Sequence, residues 1–396
     1  MRGDIFCLFP YGKNKNLHFL YNPEEVWSFY PSKATELVSS SRIKCDGHRE
    51  VKNWLNKIED EKYIYIFHLN YEFGHYQYRN QVSYISDDSC LGVLLKFHKS
   101  KLSLVEKKLS SNKIGLEEKN WPSFQSYQKA FDLGLNELMS GNCYQYNLTY
   151  PFEFKVKNLS KDNIINTYVS VSESKRGRFS MLTYIEKLGK AFWSNTPESL
   201  FQLKRGNNQA IIQTLPVKGT IDIKKAGGKE KAWAKLKNSS KDQAELFMIT
   251  DLLRNDLNKI EEPVCEVLKK KVPLLAPGII HQMSLIQISL SKEIELSKIF
   301  ESLFPGGSIT GAPKKRVMEI LKRVESRDRG LYCGSTIMGQ EGRVDCSINI
   351  RTAEIDLNNN LLKYSAGGGI TVLSDARAEF EEMMLKVKSF TDIISC

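Results

Sequence analysis

No two of the eight cysteines form a Cys-x-x-Cys pair, and their scatter along 396 residues suits neither a zinc site nor a disulfide framework. A reducing, cytoplasmic setting is the expectation. No apolar run approaches the length of a membrane-crossing helix. Met1-Arg2-Gly3-Asp4-Ile5-Phe6-Cys7 lacks the basic, apolar and small-residue blocks of a secretory signal. Internal repeats and low-complexity linkers are absent as well. A phosphate loop is excluded, because Ala312-Pro313 separates Gly311 from Lys314 where Gly-Lys-Ser/Thr is required.

What remains is an ordinary globular composition, 41% hydrophobic and 26% charged, in a chain long enough to bury a sizeable core. The net charge of +11 raises the question of nucleic acid. The lysines are spread along the chain, with one concentration from Lys224 to Lys237, and aromatics do not alternate with them. A basic surface that attracts an acidic small molecule is the better reading. Neither a nucleic-acid partner nor a membrane is expected.

Residues 1–120 read as an N-terminal α/β region packed on the same core, and residues 121–396 as the catalytic domain. Tyr63 to Phe67 is an apolar run, Asn70 to Gly74 is turn-rich, and the polar stretch Lys108 to Asn120 marks the boundary. The apolar spacing of Ala130, Phe131, Leu133, Leu135 and Leu138 predicts a helix from Phe124 to Met139, stopped by Gly141. An extended segment follows, Tyr144 to Tyr150. Leu200–Leu203 and Ile211–Leu215 alternate around Arg205-Gly206-Asn207-Asn208 as a hairpin.

That hairpin places Glu198 just before its first strand and Lys218 just after its second, about 10 Å apart at ~3.4 Å per residue of offset. A desolvated amine can attack an electrophilic carbon, and a nearby carboxyl can protonate what leaves. Two acidic pairs carry metal-ligand logic. Asp242 and Glu245 stand three apart on a helix with a capping box from Ser240 to Gln243, and Glu379 and Glu382 three apart on one capped by Ser374-Asp375. Together the two faces would suit one hard cation such as Mg²⁺, although such pairs are common on solvated helices. Phe304 to Lys314 reads as a tight loop presenting Ser308 and backbone N–H groups to an anionic oxygen, with Pro313 in the first turn of the next helix. Ser365 to Gly369 reads as a second loop that lets backbone approach a ligand. Tyr332 and Arg351 are expected on neighbouring strands joined through Gly339-Gln340-Glu341-Gly342, where hydroxyl and guanidinium suit a carboxylate. His281, after Pro277-Gly278-Ile279-Ile280, is by itself more typical of a satisfied core histidine than of a catalyst.

In this order, Pro216-Val217-Lys218-Gly219-Thr220, Met248 to Asp256, Phe304 to Lys314, Ile350-Arg351-Thr352 and Ser365 to Ile370 resemble the chorismate-utilising enzymes. That family includes anthranilate, isochorismate, salicylate and aminodeoxychorismate synthases. The resemblance covers Trp121 to Ile394. It implies an α+β fold, with two antiparallel sheets packed as a sandwich, helices outside and the site in a cleft. Hydrating members carry a lysine base where Gln145 stands, and a neutral amide cannot deprotonate water. Anthranilate synthases usually carry a small residue where Lys218 stands; the lysine form looks like the first component of aminodeoxychorismate synthase, a transferase of 4-aminobenzoate and folate biosynthesis.

The resemblance implies that Lys218 attacks C2 of chorismate while Glu198 protonates the departing C4 hydroxyl. Ammonia then enters at C4, giving 4-amino-4-deoxychorismate. It further implies Mg²⁺ on Glu245 and Glu382, with Asp242 and Glu379 acting through water. Tyr332, Arg351 and the Gly369 backbone would hold the enolpyruvyl carboxylate, and Gly219, Thr220, Ser308 and His281 would line the ring pocket, His281 being counted with the catalytic residues. No Gly-x-Cys-x-Gly segment of a glutamine amidotransferase occurs in these residues, so ammonia is expected from solution or a separate glutaminase subunit. The rival expectation is the first component of anthranilate synthase, which aminates C2 and eliminates pyruvate.

Overall fold

The computed structural model describes residues 4–12, 14–78, 86–105, 112–260, 265–276 and 279–394. Among them, every strand pairing is antiparallel and the strands fall into two sheets, one of 10 strands and one of 12. Each sheet has two apolar faces, and strand alternation sorts them. Along Ile5–Tyr11, Phe6 and Leu8 point to one cluster while Ile5, Cys7 and Phe9 point to another. The second cluster also takes Ile64 and Ile66 from Tyr63–Leu69 in the other sheet, so it is the layer between the sheets. Helices cover the two outer faces, and the expected α+β sandwich is what forms. One polar bridge crosses the inner layer: His68 reaches Thr336 through Nδ1 and Thr183 through Nε2, both at 2.9 Å. Burial holds that imidazole down at about 3, so it is neutral.

Residues 1–120 contribute strands to both sheets: Ile5–Tyr11 pairs with Met181–Ile185, and Tyr63–Leu69 with Ser335–Gln340. Of the polar stretch Lys108 to Asn120, residues 108–111 lie outside the described residues, and Gly115–Asn120 is a strand paired to Gln145–Lys157. Also outside are residues 1–3 of the N-terminal segment and the pair 277–278 before His281. Among the described residues, no helix is long and apolar enough to cross a membrane.

The predicted helix runs Phe124–Met139, with Ser123 accepting from the Ser126 N–H and the Gly141 N–H closing on the Leu138 carbonyl. Its buried stripe, Tyr127, Ala130, Phe131, Gly134 and Leu138, lies over Gln145–Lys157. That strand pairs with Leu361–Ile370 from Tyr146↔Ile370 to Lys155↔Leu361. The glycines Gly367 to Gly369 are therefore strand residues, not a loop: a side chain on Gly367 would collide with the neighbouring backbone and one on Gly369 with Gln145. The turn-rich Asn70 to Gly74 leads into a short helix, Phe73–Gln77.

Lys314, at the start of the helix Lys314–Glu325, turns inward. Its amine meets the buried Asp256 at 2.7 Å and the Leu303 carbonyl at 2.8 Å. That pairing ties the ends of two helices together and uses the lysine for structure. Pro313 is the N-cap of its helix and not a first-turn residue.

Candidate active site

The hairpin forms as expected, Ser199–Arg205 with Gln209–Thr214, and Glu198 immediately precedes it. Lys218 differs from expectation. It does not trail the second strand but sits inside a separate one, Val217–Asp222, paired to the long strand Ile279–Ser291. The ladder is interrupted at Leu215-Pro216 and resumes in the same direction, so the hairpin strand and the lysine strand take successive lengths of the same partner.

The Lys-Gly-Thr run has a mechanical reason. Lys218 faces Gln282 and Thr220 faces His281, which are adjacent residues, so Gly219 is the extra residue of a bulge. Its φ of +69° is the left-handed region that glycine enters without strain. A Cβ there would also lie 2.6 Å from Leu236 and 3.0 Å from the Asp242 carboxyl. The bulge turns Lys218 toward the helix Ser240–Leu257, where its Nζ lies 3.9 Å from Glu245. That helix begins one residue earlier than the sequence suggested: Ser239, not Ser240, is the cap, accepting from the Asp242 N–H.

Glu198 is held by Ser308, whose hydroxyl donates to Oε1 at 2.7 Å from the single helical turn Gly307–Thr310. Its own carbonyl accepts the Ile348 N–H. Burial pushes the Glu198 carboxyl above the ordinary carboxylate value, while the Ser308 hydrogen bond and the charges of Lys218 and Arg351 pull against it. The crevice at this carboxyl is walled by Pro216, Ile249, Leu253, Gly306 and Ile348. A larger cavity, ≈ 790 Å³, lies elsewhere against His48, Lys52, Tyr76, Lys298 and Glu301, and none of the residues predicted from the sequence lines it.

His281 Nδ1 lies 2.8 Å from the Thr220 hydroxyl and 3.2 Å from the Gly219 carbonyl. A carbonyl only accepts, so that contact places the proton on Nδ1 and leaves Nε2 as an acceptor. Burial holds the imidazole below its ordinary value, and the Arg351 charge adds to that. Arg351 is exposed, at φ +49°, and its carbonyl accepts the Asn195 N–H.

Tyr332 requires correction. The hairpin is Ser335–Gln340 with Arg343–Ile348, turning at Glu341-Gly342, and both Tyr332 and Arg351 lie beyond its strands. Tyr332 is in a turn, 6% exposed, packed in the core beneath the larger sheet. Its hydroxyl is raised by burial, with Cys333 and Tyr364 adding and Arg329 opposing. The structure groups Arg351 with Glu198 and His281, and places Tyr332 in the packing around Cys333.

The second acidic helix is Ala376–Ile394, with Asp375 accepting from the Ala378 N–H. Glu379 accepts from Ser374 at 2.9 Å, and Glu382 pairs with Lys386 at 2.9 Å. A Cβ on Gly368 would lie 3.0 Å from Glu379 Oε2, as one on Gly219 would from Asp242 Oδ1. Two of the four carboxylates are thus seated on bare glycine backbone. As oxygen donors with a cradle, they fit a hard divalent cation. Among the described residues no three His, Cys, Asp or Glu side chains are gathered about one point, so the pairs stand separately here. Gln145 is buried with its amide over Gly369, which pairs with Asn147.

Gln282 and Ser284 are not among the residues expected at the site from the sequence. Their signal was available: two polar residues at period two among Ile280, Ile286 and Ile288 on the buried face of one strand.

A family model described as chorismate binding enzyme matches residues 13–392. Aminodeoxychorismate synthase component 1 of Salmonella typhimurium is 36% identical over 257 residues, 63% of this chain and 53% of the relative. An uncharacterized PabA-like protein of Pasteurella multocida is 32% identical over 268 residues, 66% of this chain and 75% of its own length. The chain thus spans about half the length (53%) of the aminodeoxychorismate synthase component it matches. Anthranilate synthase component I from Streptococcus pneumoniae superposes with a TM-score of 0.76 at 20% identity, covering 98% of this chain and 92% of that one. The menaquinone-specific isochorismate synthase of Escherichia coli gives 0.71 at 15%, covering 100% and 89%. These two establish the shared fold.

Proposed function

The chain belongs to the chorismate binding enzyme family, and from that membership we infer that it aminates chorismate with ammonia to 4-amino-4-deoxychorismate through a bond to Lys218. The observation that carries the reading is the pairing of two unlike groups. A lysine amine aimed by a glycine bulge stands within charge reach of a carboxyl that burial keeps protonated above the usual range. Relatives named aminodeoxychorismate synthase support the same choice.

In this reaction the Lys218 lone pair forms a bond to C2, both conjugated ring double bonds shift in turn, and the C4–oxygen bond breaks, the oxygen leaving as water with the Glu198 proton. Ammonia then bonds to C4, both double bonds return, and the C2–nitrogen bond breaks to free the lysine, while a proton from the added nitrogen returns to the Glu198 carboxylate. Arg351 holds a substrate carboxylate, and the neutral His281 offers Nε2 to a ring hydroxyl. Gln145 presents an amide, which supplies no base for hydration. Mg²⁺ on Glu245 and Glu382, with Asp242 and Glu379 through water, would draw the substrate carboxylate and polarise the conjugated ring. The ammonia source is a separate glutaminase, in keeping with relatives named component 1 and PabA-like. A cytoplasmic setting belongs to the same proposal.

The test is a product assay by mass with chorismate, Mg²⁺ and ammonium. A product of retained side chain with amine replacing hydroxyl is expected from wild type and lost in Lys218→Ala. Direct appearance of fluorescent anthranilate would assign the rival reaction, and undiminished amination by Lys218→Ala would remove the covalent step.

A further inference from the structure

Gln282 is fully buried, at 0% exposure, and among the described residues neither its amide oxygen nor its amide nitrogen has a hydrogen-bond partner. Ser284, two residues on, is buried to the same degree, and its hydroxyl is also unpartnered among the described residues. Alternation along Ile279–Ser291 puts both on the face of Ile280 and Ile286, which are core residues. Interiors nearly always satisfy such groups, because a buried amide that has given up water without replacement is unfavourable. An apolar side chain would fill the same space without that penalty, so the amide calls for a role.

Strand register indicates one. Gln282 is the antiparallel partner of Lys218. Opposite residues project to the same face with Cβ atoms about 4.5–5.5 Å apart, within the reach of two long side chains. The contact of Lys218 with Glu245, at 3.9 Å, is too long for a hydrogen bond. Register therefore puts a loosely held amine and an unbonded amide on one face of the sheet, beneath the helix Ser240–Leu257, with no hydrogen bond between them in this structure.

We propose that Gln282 is a positioning residue for Lys218: when Nζ leaves Glu245 to engage the substrate, the unpartnered amide oxygen accepts one of its N–H groups and aims the amine's lone pair at the ring. A carboxamide does this without adding negative charge beside the nucleophile. The inference rests on Lys218 acting as the nucleophile in the amination proposed above.

The experiment compares wild type with Gln282→Met, which keeps length and flexibility but cannot hydrogen-bond, and Gln282→Glu, which keeps an acceptor oxygen. For Gln282→Met, kcat for amination should fall at least about tenfold, with KM for chorismate within about twofold and Tm equal or higher. Gln282→Glu should retain more of kcat than Gln282→Met. Wild-type kcat in Gln282→Met would overturn the proposal. So would a fall in kcat matched by a fall in Tm, or a variant that does not fold, because the amide would then be structural. If wild type itself makes no aminated product, the functional reading fails and this inference fails with it. Wild-type turnover alongside an unaffected Gln282→Met removes only the role of Gln282.

Discussion

Ser308→Ala is the most discriminating substitution, because its effect has a sign that only one arrangement produces. Ser308 donates to Glu198 at 2.7 Å, and a donor stabilises the ionised carboxylate over the neutral acid. Burial works the other way and wins, leaving the carboxyl above its ordinary value. Removing the hydroxyl takes away part of the opposition, so Glu198 should hold its proton to still higher pH. A hydrogen bond to a charged group contributes about 1.5–3 kcal/mol, and water can replace some of it at a part-buried site. Because one pH unit corresponds to about 1.36 kcal/mol, a shift of about one unit is expected. The active form of a general acid is the protonated one, so the alkaline limb of the kcat profile should move up by that amount. The assay is initial-rate amination from pH 6 to 10 under saturating chorismate and ammonium, with ammonia fraction corrected at each pH. An alkaline limb that stays put or moves down would refute Glu198 as the acid held by Ser308. A rise in KM with an unmoved limb would instead put the hydroxyl on the substrate.

Further outcomes bear on the bulge, the packing and the buried histidine. Gly219→Ala should lower amination at least about tenfold and destabilise by roughly 1–2 kcal/mol for the left-handed backbone alone, read by kinetics and urea unfolding. Lys314→Met should cost about 3 kcal/mol in urea unfolding, because Asp256 loses its buried partner and keeps the exposed Lys259. His68 is held at about 3, below its ordinary 6.5, so the unfolded chain takes a proton that the folded chain refuses. Its stabilising effect is complete above 6.5 and is lost as pH falls toward 3, by on the order of 4–5 kcal/mol in all. The stability gap between wild type and His68→Asn should close across that range. Comparing the two cancels Glu72, which burial raises to about 7 and which acts in the opposite sense.

Local pattern was enough for the helix Phe124–Met139 and for the hairpin ahead of Lys218, because both are decided by spacing and turn residues within a few positions of one another. Candidate groups are legible too: Lys218, Glu198 and the two acidic pairs stand out by residue type whatever surrounds them. Pairing between distant strands was not. The bulge at Gly219 exists only because Val217–Asp222 meets Ile279–Ser291, about sixty residues on, and nothing in Lys-Gly-Thr states that partner. Tyr332 had the chemistry of a carboxylate ligand, but the turn that carries it faces the core. Gln282 shows in the sequence only as a polar residue on an apolar face, and its lack of hydrogen bonds among the described residues comes from the tertiary structure. A sequence specifies which groups are available and where the chain bends; burial and register, which depend on residues far apart, decide which of those groups lose water and meet.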